Sequence, residues 1–316
     1  MDDVKIIREI IVKSYDDFVE IVSASGTLFH LMQQGYVFRG HSSSSYELLP
    51  SVLRKEKKEE LWSFCGGKPV DNQSELEYFQ IYAEYTLLQI FYRKCDLMGL
   101  YVPEIERMRN HVITKFPFDV NFLMEGEKWL PENLYGITAL AQHYGVPTRL
   151  LDWTNDFFIS LYFAVSGIIN EKDADNDNMV IWALNATYID FISSTTSRLP
   201  LKVIRPRYYG NPNMSAQSGL FTLWEIDKPY IDKKNPLSFL TNPKMIDRTS
   251  LDKLLENICP KEKDYNNMLF KICIPHKLSK EIYKYLSVLG YDAARVFPGY
   301  SGVVRNMQED SFGLLK

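Results

Sequence analysis

The chain has 316 residues, 46% of them hydrophobic and 24% charged, with a formal net charge of −4. That composition supplies a core of ordinary globular size. The slight acidity excludes a global basic field, so a nucleic-acid partner would have to meet a local patch.

Taken in chain order, "IIREIIVKSYDDFVEIVSAS" predicts a short strand, Ser14 as N-cap, and a helix from Tyr15. "YVFRGH" (36–41) reads as a strand broken by a turn at Gly40, and "HSSSS" as a polar loop. Between Ser74 and Leu100 the spacing of Leu76, Phe79, Ala83, Leu87 and Ile90 predicts a helix, and Pro103 starts another. Pro131 near the start and Gly145 at the end frame a helix over "ENLYGITALAQHYG". "TRLLDW" is an extended segment, and Thr154 or Asn155 caps a helix running from Asp156 to Ile169. After a loop of charges and amides ("NEKDADNDN"), "MVIWALN", "SGLFTLWEI", "LFKICIP" and "AARVFP" follow as strands, with "HKLSKEIYKYLSVLG" as a helix. A helical N-terminal half and a strand-rich second half imply an α+β fold with a mixed or antiparallel sheet.

No apolar run approaches the ~20 residues of a membrane span, and the charged N-terminus does not read as a signal peptide. Cys65, Cys95, Cys259 and Cys273 are scattered, with no CxxC and no histidine at ligand spacing. They read as reduced thiols of a cytoplasmic protein without a metal site.

Polar residues concentrate in two runs. The first, "YVFRGHSSSSYELLPSVLR", runs from Tyr36 to Arg54 and contains Arg39, whose planar fork at a strand end suits a phosphate or pyrophosphate, or pairs with a carboxylate such as Asp152. The second runs from Gln142 to Thr154 and brings His143, Tyr144, Arg149, Asp152 and Trp153 against a strongly apolar helix. Charges beside a core need partners or a ligand. Arg149 could pair with Asp152, Trp153 could stack on a ring or fill the core, and Thr154 could cap the helix or face a ligand. Further on, Arg205, Arg207, Tyr208 and Tyr209 form a local patch fit for a nucleotide or nucleic acid. Neither GxSxG nor GxGxxG is present, which argues against a serine hydrolase or a Rossmann site.

"FRG" at 38–40, "YELLPSVLR", "ALAQHYGVPTRLLDWT" with "ISLYFA", "AQSGLFTL" and "LGYDAARVFPGYSGV" resemble the FRG domain family over roughly residues 36–304. The resemblance implies an FRG domain over 36–305 with a helical insertion at about 60–130, preceded by an N-terminal strand and helix (1–35) and followed by a tail (306–316). The family's arrangement is in turn similar to the ADP-ribosyltransferase superfamily. That likeness implies NAD as substrate, with Arg39, Thr154 and Gln217 at the catalytic positions. It also implies His143, Tyr144, Arg149, Asp152 and Trp153 around the nucleotide, and no metal. Gln217 is uncharged where the superfamily commonly has a glutamate, so Asp152 or Glu225 could supply the carboxylate. The expected roles are an ADP-ribosyltransferase-like bacterial toxin or anti-phage effector with an RNA, DNA or protein acceptor, an NAD glycohydrolase, or a non-catalytic nucleotide or nucleic-acid-binding module.

Overall fold

The computed structural model describes residues 5–67, 71–110, 128–169, 177–195, 199–209, 211–229, 243–258 and 265–315. Cys259 lies outside the described residues. Seven strands form one sheet: β1 (Ile7–Ile11), β2 (Tyr36–His41), β4 (Leu150–Thr154), β5 (Asn178–Asn185), β6 (Leu201–Ile204), β7 (Gly219–Trp224) and β9 (Leu269–Pro275). Their order is β1-β9-β5-β2-β4-β7-β6. Two short strands, β3 (Lys128–Trp129) and β8 (Ile226–Asp227), pair apart from it. β1 runs parallel to β9, and every other neighbouring pair in the sheet is antiparallel. The fold is α+β with a mixed sheet.

The first half is mainly helical, as expected, but the second half is not mainly strands, since the Phe157–Ile169, Ala186–Thr195, Ser279–Val288 and Tyr300–Leu315 helices alternate with its strands. The first half also supplies β1, β2 and β4, and β2 sits at the centre of the sheet. Both faces of β2 are covered. Phe38 packs with Phe157 and Leu161, and Val37 packs on the other face with Trp153 and Trp182. A strand covered on both faces loses the apolar–polar alternation that marks a half-exposed one.

Local expectations at the helix ends hold well. Ser14 caps the Tyr15–Val22 helix through a full capping box with Asp17. The Tyr135–His143 helix ends at Gly145, whose φ of +84° suits glycine. The Glu77–Leu97 helix appears where the spacing predicts one, and the helix after Pro103 begins at Glu106.

Three local expectations fail. Gly40 is not a turn; it lies inside β2, paired with Ile181. A Cβ there would stand 1.9 Å from the Ser160 carbonyl oxygen, so the glycine lets the Phe157–Ile169 helix lie against the strand. "AARVFP" is no strand: Ala293–Val296 is a helical turn capped by Asp292, which accepts from the Arg295 amide at 2.9 Å. The Phe157–Ile169 helix is capped by Asp156, which accepts from the Phe158 amide at 2.9 Å, and not by Thr154 or Asn155.

Candidate functional site

A cavity of about 1350 Å³ opens where β2, β4 and β7 meet. It is larger than the ~300–1,000 Å³ of an ordinary small-molecule pocket, so it has room for a dinucleotide. β2 and β4 share one paired position, Phe38 with Thr154. Beside that pair a side chain takes over the backbone's role. Arg39 Nη1 donates to the Asp152 carbonyl at 2.8 Å and to its carboxylate at 3.4 Å.

Arg39 is nearly buried, with 15% of its side chain exposed, whereas Asp152 is 54% exposed. Arg39 Nε donates to His41 Nε2 at 3.0 Å, which requires that nitrogen to carry a lone pair. Burial, then the charges of Arg39 and Arg54, push the His41 pKa down to about 3, so the ring is neutral. Burial also lowers the Arg39 pKa, and nearby Arg54 lowers it further against the opposing pull of Asp152.

The Asp152 carboxylate is oriented by a chain of hydrogen bonds. Gln142 Nε2 donates to it at 2.9 Å, and Thr148 Oγ1 donates to Gln142 Oε1 at 2.8 Å. The Thr148 amide in turn donates to Ser51 Oγ at 3.1 Å. His143 and Tyr144 line the same cavity at the end of their helix, and burial lowers the His143 pKa.

Thr154 and Gln217 also line the cavity. Thr154 Oγ1 donates to the Gln217 carbonyl at 2.7 Å and accepts from the Asp156 amide at 3.0 Å. Gln217 is not at the start of a strand. It ends the Pro212–Ala216 helix, two residues before β7, and its side chain donates to the Val296 carbonyl at 3.2 Å. Arg39, Thr154 and Gln217 therefore share one cavity, although the polar groups of the last two are engaged internally.

Arg149 lies outside the cavity, and Trp153 borders it only with a buried ring. Arg149 is 5% exposed and binds Glu77 and Glu84, themselves 1% and 5% exposed, from the Glu77–Leu97 helix. Glu84 also accepts from Trp129 Nε1 at 2.7 Å and from Gln80 at 2.9 Å. Burial opposes the Arg149 charge, but the two carboxylates outweigh it and raise its pKa. Burial raises the Glu84 pKa despite Arg149. Trp153 is 3% exposed in the core, donating to Thr222 Oγ1 at 2.8 Å. Its ring packs in the core with Val37 and Trp182 and reaches the cavity wall with little exposed surface.

The 205–209 patch stands apart from the cavity. Arg205 pairs with Asp190 at 2.7 Å, Tyr208 donates to the Gly219 carbonyl at 3.1 Å, and Tyr209 is exposed. Glu225 does not line the cavity and accepts weakly from Tyr135 at 3.5 Å.

Several lining groups carry no local signal in the sequence. Arg248 reaches the cavity from a distant segment, whereas Arg54, which also lines it, closes the "YELLPSVLR" motif. The serine loop after β2 is fastened by Asp177, whose carboxylate accepts from the Ser43 and Ser44 hydroxyls, the latter at 2.6 Å. Burial works against that charge, but the serine donors prevail and hold its pKa at about 2. In the sequence Asp177 is one member of a loop of charges and amides; only the tertiary fold brings it to the serines. Among the described residues no group of three or more His, Cys, Asp or Glu could hold a metal ion. Among them, too, no helix is long and apolar enough to cross a membrane.

Residues 34–173 match the family model of the FRG domain. The match takes in β2, the serine loop, the Glu77–Leu97 helix, β4 and the helix behind it, and so supports placing this part of the chain with the FRG family. No curated protein and no solved structure matches the chain.

Proposed function

We propose that the Arg39 cleft binds a dinucleotide through its pyrophosphate, and that the dinucleotide is NAD, cleaved between nicotinamide and ribose in an ADP-ribosyltransferase-like reaction. The observation that carries this reading is the Arg39–Asp152 pair at the cavity floor. It places a preorganised guanidinium, with Nη2 left over after its bonds to His41 and Asp152, beside a half-exposed carboxylate. A fixed guanidinium with an open nitrogen suits a pyrophosphate oxygen through a charge-assisted hydrogen bond. A carboxylate suits the positive charge that develops on ribose as the glycosidic bond breaks and its electron pair leaves with nicotinamide. Asp152 fills this role better than Glu225 because it lines the cavity. Tyr46 and Tyr144, 49% and 63% exposed at the same cavity, offer ring faces for a base. Water or a nucleophile of RNA, DNA or protein then captures the ribosyl carbon and gives up its proton. Release of ADP-ribosyl groups onto a host macromolecule would suit a bacterial toxin or an anti-phage effector.

A second reading, a binding module without chemistry, is favoured by one observation. The Thr154 hydroxyl and the Gln217 side chain are both committed to backbone carbonyls. Calorimetry with NAD and an assay of nicotinamide release separate the two. Arg39→Ala should weaken NAD binding about 10–100-fold, as expected for losing a charge-assisted hydrogen-bonding partner. Asp152→Asn should retain binding and slow release about 10²–10³-fold, the usual loss on removing an electrostatic stabiliser. Binding without release in the wild-type protein selects the module. Full NAD binding and turnover by Arg39→Ala would refute the Arg39 cleft as the site.

A further inference from the structure

The charges around the cleft do not balance in pairs. Arg39 is matched by Asp152 at 3.4 Å, Arg248 pairs at 2.7 Å with Glu75, which it shares with Lys58, and Glu47 is taken by Lys253 at 2.7 Å. Lys55 and Glu56, both exposed, offset one another in count. Arg54 remains. It is held in place at its backbone, whose amide donates to the Ser51 carbonyl at 3.2 Å, and at Nε, which donates to the Leu49 carbonyl at 3.1 Å. Its two terminal nitrogens have no carboxylate partner among the described residues. A guanidinium fixed at Nε and open at Nη1 and Nη2 is a preorganised fork for an oxyanion.

The position of this fork matters as much as its freedom. Arg54 lines the same cavity as Arg39 and is near enough for its charge to disfavour protonation of both Arg39 and His41. Like charges gathered in a partly buried cleft oppose one another, and an anionic ligand with more than one charged group relieves that repulsion. Asp152 carries one negative charge against the two arginines, and its ion pair is with Arg39.

We infer that Arg54 forms a second anion subsite, and that the preferred ligand is a dinucleotide carrying a phosphate monoester on the adenosine ribose in addition to its pyrophosphate. This rests on the nucleotide reading of the Arg39 cleft. Arg39 faces the pyrophosphate and Arg54 the monoester, so the preference for a phosphorylated form of NAD lies in Arg54.

Calorimetry on the full chain with NAD and with its 2′-phosphorylated form tests this. The wild-type protein should bind the phosphorylated form about 10–100-fold more tightly, the range of one charge-assisted contact. Arg54→Gln should erase that ratio, and Arg54→Lys, which keeps the charge but not the fork, should leave a small part of it. Arg39→Ala should weaken both ligands together. Equal affinity of the wild-type protein for the two ligands overturns the subsite and leaves the nucleotide reading standing. A preference that survives Arg54→Gln overturns the assignment to Arg54. Binding of neither ligand overturns both readings. If Arg54→Gln does not fold, Arg54→Lys and the wild-type ratio still decide the matter.

Discussion

Replacing Arg149 with Met should strongly destabilise the protein without touching the cleft. The guanidinium is 5% exposed and neutralises Glu77 and Glu84, which are 1% and 5% exposed. Without it, two carboxylates remain in the core with only Trp129 and Gln80 as donors to Glu84. Breaking a buried ion pair by removing one partner costs about 3–5 kcal/mol. At about 2.1 cal/mol/K of unfolding entropy per residue, that loss lowers the melting temperature by about 5–8 °C. Thermal unfolding followed by circular dichroism measures it. The pH dependence has a definite sign. Carboxylates stranded in the core have folded pKa values above their unfolded ones, so they bind more protons in the folded state and the variant gains relative stability as the pH falls. The gap to the wild-type protein should therefore narrow between about pH 7 and pH 5, across the raised carboxylate range. Adding Glu77→Gln and Glu84→Gln should recover much of the loss, since the amides are neutral. A loss below about 1 kcal/mol, within the ordinary spread of single substitutions, would show that Arg149 is not the keystone of this cluster.

Two further outcomes follow from the geometry. Gly40→Ala places a methyl group 1.9 Å from the Ser160 backbone oxygen, so the helix must move. The cost should be at least the ~1–3 kcal/mol of core overpacking, read from chemical denaturation, and a change under ~0.5 kcal/mol would refute the contact. His41, whose pKa falls from an ordinary 6.5 to about 3 in the fold, should keep an unchanging ring signal in a proton NMR titration from about pH 8 to 5. Its folded pKa is the lower one, so its contribution to stability is complete above about 6.5 and is lost as the pH falls toward 3. A midpoint near 6.5 would mean that its Nε2 does not accept from Arg39.

The ends of helices are legible in the sequence because they are local. Ser14 with Asp17, and Gly145 after its helix, satisfy or terminate backbone groups within a few residues. The Ala293–Val296 turn is equally local: Asp292 is its cap, but the apolar content of "AARVFP" suggests a strand when capping is ignored. Long-range pairing is what local pattern does not reveal. Arg149 and Asp152 are three apart, and in an extended segment residues of opposite parity project to opposite faces. That parity argues against their pairing in the sequence; in the fold Arg149 lies just before β4 and turns inward to Glu77 and Glu84, while Asp152 stays at the cavity. The partners of Arg149 are also visible in the sequence, since Glu77 and Glu84 are seven apart and share one face of their helix. A helix that buries two acids on one face requires a cation from elsewhere. Gln217 misleads in another way. The "AQSGLFTL" run begins in a helix end and turns through Ser218, at φ +47°, before the strand starts.

The contrast between the two arginines separates framework from site. Both are largely buried, at 5% and 15% side-chain exposure. Arg149 meets two buried carboxylates, its pKa rises, and nothing further is needed to satisfy it. Arg39 meets one carboxylate that is itself half in solvent, a neutral imidazole and a like-charged Arg54, and its pKa falls. Burial opposes the charge in both cases, so the difference lies in what surrounds each guanidinium. A buried cation left under-compensated at the floor of an open cavity is the arrangement that an anion would complete. In a fold shaped for stability alone, the pairing seen at Arg149 would be expected at both positions. An anion bound there would recover free energy that Arg39 forgoes in its less favourable setting, which is the physical argument for the proposed ligand site in the cleft rather than at the exposed Arg205–Tyr209 patch.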